Sequence, residues 1–355
     1  MKLQISDNAA CSLAKLAIAA RAVYGIVIDM PELLNAGWIS ILLGGLLAVP
    51  LALALSLLLK DENAAPAEKL QNQAALPLRL ICAVFFAISA YDAAFVAAAI
   101  GNSASFMALS DVAPVYLLLP LLAICLACLR LNGNAIGMSA SIWGKALAWL
   151  LLLVILLEAR NYQVEWLTPA LGPGIPTLLD GAVRSAAWFS LSSALFLVAA
   201  PDERDPKDHL CPLKALGTSV GFAALVSLMY SMLCPATLDG NLFSRSFRLD
   251  TLLANGRTGL SLQFPTNILW YISLIYALLF DVFTSTIMLQ TALPRLGNRT
   301  CTLFALIATS LLAVSRLSGR TPGLMVSGWL FCTEGVLTAL LIAAIIYSKG
   351  RTSHA

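Results

Sequence analysis

The 355-residue chain is 59% hydrophobic and only 12% charged, with a formal net charge of +3. Soluble domains carry about 25% charged residues, so an ordinary soluble domain is excluded. The small basic excess is what membrane-flanking loops collect and requires no nucleic-acid partner. Long apolar runs recur from end to end, among them VPLALALSLLL at 49–59 and ALAWLLLLVILLEA at 146–159. A spanning helix needs about 20 mostly apolar residues. The sequence therefore predicts an all-α polytopic membrane protein, one integral-membrane domain over residues 1–355.

In chain order the apolar segments fall at 9–29, 36–59, 77–100, 112–130, 136–158, 183–200, 213–234, 267–291, 301–315 and 323–347, about ten helices. Each satisfies its own backbone hydrogen bonds in lipid. The opening stretch lacks a compact apolar core with a small-residue cleavage site, so the first span is expected to be retained. Basic residues such as Lys60, Lys69, Arg130, Lys214, Arg295 and Lys349 collect on one side, which predicts cytoplasmic N- and C-termini.

The first span ends in RAVYGIVIDMPELL, with Arg21 and Asp29 either side of Gly25. Eight residues apart, the two charges share a helix face but lie about 12 Å apart along the axis, too far to pair directly. They could line one aqueous pocket if the backbone opens at Gly25, beside which Tyr24 offers a hydroxyl or an aromatic wall. Gly25 also reads as a helix-packing residue, and Asp29 as a wetted helix end. Asp92 follows Tyr91 in the third span. In the fourth, Cys125 and Cys128 form a CxxC inside LLAICLACLRL, where small packing residues are expected rather than a redox or metal pair.

Residues 159–182, RNYQVEWLTPALGPGIPTLLDGAV from 160 on, carry three prolines and three glycines and disfavour one uninterrupted helix. They read as an external connection with room for a short interfacial helix. The sixth span holds RSAAWFSLSSALF at 184–196, where Ser190 and Ser193 approach one face beside Trp188 and Phe189. That patch suits a small zwitterionic solute or a helix-packing contact. Residues 235–266 form the longest external loop, a structural cap or a gate.

Asp281 lies mid-segment in YALLFDVFTSTIMLQ, with Thr284 and Ser285 one turn onward to hydrate or orient it. Glu334 sits in GWLFCTEGVLTALL of the last span. Intramembrane ionisable residues are costly and mark interhelical hydrogen bonds or ion pathways. Arg21, Asp29, Asp92, Asp281 and Glu334 are therefore the candidates for ion coupling or a polar network, with a proton or sodium ion as the coupling species. No phosphate loop, zinc motif or nucleophile elbow is present. No enzyme activity, catalytic residue, resident metal or cofactor is expected.

ISDNAACSLAKLAIAARAVYGIVIDMP, then AGWISILLGGLLAVPLALAL, and later WLTPALGPGIPTLLDGAV and LQFPTNILWYISLIYALLFD together resemble GerAB-type spore-germination proteins. These are permease-like B subunits of nutrient receptors, related to the amino acid–polyamine–organocation transporters. The block from Trp38 to Gly45 is the most specific element of the resemblance. It implies five-helix inverted repeats at 9–158 and 183–347, with discontinuous first and sixth helices around a central site. Tyr24, Gly25 and Ile26 would then contact an amino-acid-like germinant, facing Ser190 and Ser193. The resemblance also implies A and C subunits as partners beside membrane lipids, and the spore inner membrane as location. The chain departs from the pattern at RAVYG, at the SLSS region of helix six, and before Asp281, where an arginine is usual. A proton- or sodium-coupled amino-acid permease is the second reading, and a non-transporting structural subunit the third.

Overall fold

The computed structural model describes residues 5–24, 31–59, 75–107, 113–129, 133–159, 162–168, 171–172, 174–190, 195–197, 199, 210–233 and 263–318. Nine α-helices lie among them: α1 (Asp7–Tyr24), α2 (Gly37–Leu59), α3 (Ala75–Met107), α4 (Pro114–Cys128), α5 (Gly133–Glu158), α6 (Ile175–Ser190), α7 (Cys211–Leu233), α8 (Gln263–Ala292) and α9 (Asn298–Leu317). Two 3-10 helices, Pro31–Ala36 and Val164–Leu167, sit in the connections, and no strand occurs among the described residues. Six helices are long and apolar enough to span a membrane, and α4 is a shorter apolar helix. The tenth expected segment, 323–347, lies outside the described residues, as do residues 235–262 of the long loop.

One boundary differs from the sequence expectation in a way that bears on the site. The first span is described as helix through Tyr24, residues 25–30 lie outside the described residues, and a 3-10 helix begins at Pro31. The sixth begins at Ile175 instead of 183 and is described through Ser190. Pro176 stands in its first turn, where its missing N–H costs nothing and its fixed φ suits the helix. Asp180 and Arg184 then pair across one turn at 2.6 Å. Just before α6, Gly172 and Gly174 adopt φ of +55° and +118°, a turn that a residue with a Cβ resists. A Cβ on Gly172 would also meet Ala36 Cβ at 2.9 Å, so this turn seats α6 on the first 3-10 helix. At the other end, residues 263–266 form the start of α8 rather than the end of a loop.

Glycine and alanine set the closest helix approaches, as expected where lipid supplies no hydrophobic drive and packing must do the work. A Cβ on Gly44 of α2 would fall 2.5 Å from Ser185 Cβ of α6. One on Gly137 of α5 would fall 2.5 Å from Ala9 Cβ of α1. Ser40 clips the α2–α6 pair further by donating to the Leu178 carbonyl at 3.1 Å. At the start of α1 the Ser6 N–H donates to Asn134 Oδ1 at 2.7 Å, tying that end to α5.

The polar, alanine-rich α1 is therefore sheathed by protein rather than lipid, packing on α5, α7 and α8. Helix α8 packs on α1, α3 and α9, and 89% of its apolar window is buried, against 17% for α5. Helix α8 is the inner post of the bundle, and α5 is peripheral.

Candidate functional site

Arg21 occupies the last turn of α1, where the helix C-terminus favours a positive charge. Its side chain has no solvent exposure. An unpaired guanidinium at such depth would be prohibitively costly, so the neighbours decide whether it is tolerated. Two carboxylates face it. Asp92, from the middle of α3, brings Oδ2 to 2.8 Å from Arg21 Nε, an ion pair without the alignment of a full hydrogen bond. Asp281, from the middle of α8, accepts a hydrogen bond at Oδ1 from Arg21 Nη2. The ring of Phe280 completes the seat, with the guanidinium carbon 5.7 Å from its centroid.

The charged row extends one member further. Arg316, in the last turn of α9, stacks over Phe95 at 4.4 Å and donates to the Tyr91 hydroxyl at 3.5 Å. From there it also acts electrostatically on Asp92. Charges of alternating sign thus run Arg316, Asp92, Arg21, Asp281 across α9, α3, α1 and α8. Each carboxylate is bracketed by, or held against, a guanidinium, which is the condition for burying charge in a low-dielectric interior.

The row is not saturated on its α8 side. Asp281 Oδ2 and Thr284 Oγ1 are buried without a hydrogen-bond partner among the described residues. Ser285 does not orient the carboxylate as its spacing suggested, because its hydroxyl donates to the Asp281 backbone carbonyl at 2.7 Å. Mid-helix serine and threonine commonly bond back in this way. A polar ligand, ion or water reaching Asp281 would find acceptor capacity at Oδ2 and a free hydroxyl one turn on.

Of the sequence candidates, Arg21, Asp92 and Asp281 come together although distant in the chain. Tyr24 is the final residue of α1, one turn beyond Arg21. Gly25, Ile26, Asp29, Ser193 and Glu334 lie outside the described residues. Ser190, the last described residue of α6, is buried, with its hydroxyl donated to the Ala186 carbonyl at 2.8 Å. It lines a small cleft with Leu51, Leu55, Phe189, Phe196 and Leu216, of about 10 Å³, room for one water at most.

The sequence reading missed Arg316, which it left in a loop beyond a ninth span ending at 315. Helix α9 runs to Leu317, and Thr302, Thr309 and Arg316 recur at intervals of seven along it. That spacing was the available signal.

A helical bundle with six helices long and apolar enough to cross a membrane among the described residues, and a charged row sealed in its core, is that of an integral membrane protein. Residues 15–241, well over half of the chain, match the Spore_permease family, described as spore germination protein, and the chain belongs to that family. No curated protein sequence matches it. Among solved structures, a single-substitution variant of the Eremococcus coleocola manganese transporter aligns at 15% identity and a TM-score of 0.49, covering 97% of this chain and 77% of that one. The same transporter in complex with an aromatic bis-isothiourea substituted compound aligns at 16% identity and 0.48, covering 97% and 76%.

Proposed function

We propose that the protein is the membrane-embedded sensing subunit of a germinant receptor, which binds an amino-acid-like nutrient where α1 ends. The Arg21 row is the latch that couples occupancy to the bundle. The observation that carries this reading is the placement of Arg21, one turn before Tyr24, tied to both α3 and α8. A ligand that repositions the end of α1 must strain or release two ion pairs at once, so local binding becomes a change in how three helices are held. Such coupling requires that the ligand bind the two arrangements with different affinity, whether or not it crosses the membrane. Tyr24, Gly25 and Ile26 are the proposed contacts on α1, with Ser190 and Ser193 opposite. A and C receptor subunits are the proposed partners, the spore inner membrane the proposed location, and both termini are assigned to the cytoplasm.

Helix pairing supports the two-repeat organisation proposed for residues 9–158 and 183–347. Packing of α2 on α6 is mirrored by α7 on α1, while the α2–α7 and α3–α8 pairs map onto themselves when each helix is advanced by five. Asp92 and Asp281, the two carboxylates that hold Arg21, then occupy equivalent helices.

A proton- or sodium-coupled permease is the second reading, favoured by the unsatisfied Asp281 Oδ2 and Thr284 hydroxyl. Reconstitution of the full chain with radiolabelled amino acids, with and without a proton or sodium gradient, separates the two. Saturable binding without accumulation supports sensing. Gradient-driven accumulation overturns it in favour of transport.

A further inference from the structure

Helix α5 carries a second intramembrane cation that the Arg21 row does not use. Lys145 lies within the span Gly133–Leu153, twelve residues from one end and eight from the other. At 1.5 Å per residue these are about 18 Å and 12 Å of helix, farther than a four-carbon stem can snorkel. Lys145 is nevertheless exposed, and it has no hydrogen-bond or ion-pair partner among the described residues. Around it Met138, Ile142, Trp149 and Leu156 are 67–71% exposed, and with Lys145 and Leu152 they follow a 4-3-4-3-4 spacing along one face. A purely apolar face would rest in lipid without further explanation, but an ammonium at mid-depth would not.

We propose that this face of α5 docks a transmembrane helix of a different chain, one that presents a carboxylate at mid-membrane depth to pair with Lys145. Charge complementarity selects that occupant. A second copy related by a two-fold axis normal to the membrane would set Lys145 against Lys145 at equal depth, which the low dielectric penalises. The 4-3 spacing is that of a left-handed helix–helix seam, in which one polar residue fixes partner and register.

The test uses the full-length protein in phosphatidylcholine vesicles at mildly alkaline pH, with synthetic Leu/Ala helices of about 20 residues. These carry a single central Glu, Gln or Lys, and association is read by energy transfer. The Glu helix is expected to bind about ten-fold tighter than the Gln helix. Lys145→Leu is expected to abolish that preference, and Lys145→Glu to shift it to the Lys helix. Equal binding of Glu and Gln helices to the wild type overturns the proposal, as does a Glu preference that survives Lys145→Leu. A disulfide-linked homodimer formed through Trp149→Cys under mild oxidation also overturns it, because it would place a second copy on this face.

Discussion

Arg21 on α1 and Asp281 on α8, 260 positions apart, share a hydrogen bond with neither side chain exposed to solvent. With Asp92 paired to Nε of the same guanidinium, one cation holds three helices together. The three members are not equivalent in what their loss does.

Arg21→Met leaves two carboxylates buried against each other. Removing one partner of a buried ion pair costs about 3–5 kcal/mol, because the charge left behind is uncompensated. We expect Arg21→Met to lose assembly, or to melt far below the wild type in detergent thermal-shift measurements. Asp281→Asn retains an oxygen acceptor and leaves the Arg21–Asp92 pair balanced, so it should assemble. Adding Asp92→Asn and Asp281→Asn to Arg21→Met should recover part of the loss, a non-additivity that a mutant cycle reads directly.

Arg316 should matter less. It is only partly buried, and its cation–π contact with Phe95 is the kind worth about 0.5–1 kcal/mol at exposed sites. Arg316→Gln is expected to lower stability by about 1 kcal/mol. Arg316→Gln combined with Asp92→Asn should cost less than the two changes summed, since each charge is then spared its unmatched neighbour.

The helix approaches predict a contrast among glycines. Gly44→Ala and Gly137→Ala place a Cβ within 2.5 Å of neighbouring side-chain carbon, an overpacking that costs about 1–3 kcal/mol. Gly144→Ala and Gly221→Ala meet nothing within 4 Å and should leave thermal stability unchanged or slightly raised. Melting temperatures of the four variants check this.

Much of the bundle was legible because spanning helices must be apolar for about 20 residues, and nothing else in the chain is. The expected segments for α2, α4, α5 and α8 lie within a few residues of the observed helices. The start of α6 near the site was less legible, because Pro176 read as a breaker although the first helical turn accepts it. Arg21, Asp92 and Asp281 were each visible as intramembrane charges. Their meeting was not, because Arg21 offered an in-helix neighbour, Asp29, and nothing in the local pattern pointed 260 residues away. Arg316 was hidden by a span drawn too short.

Ser190→Ala removes a hydroxyl that returns to its own helix at Ala186, so the fold should tolerate it within about 0.5 kcal/mol. If the end of α6 faces the ligand as proposed, amino-acid affinity should fall while gel-filtration behaviour stays unchanged. Unaltered affinity in folded Ser190→Ala would remove Ser190 from the site and leave the α1 contacts to stand alone.

As the proposed latch, the Arg21 row must be strained or released when ligand binds, so it holds the bundle in the arrangement that binds ligand less well. Equilibrium binding of a radiolabelled amino acid to reconstituted wild type and Asp281→Asn tests it most directly. Releasing one ion pair should raise the binding-competent population, and with a coupling of about 1–3 kcal/mol the variant should bind at least about five-fold tighter. Equal or weaker affinity in an Asp281→Asn protein that is otherwise assembled would contradict the latch and leave the charged row a purely structural clasp.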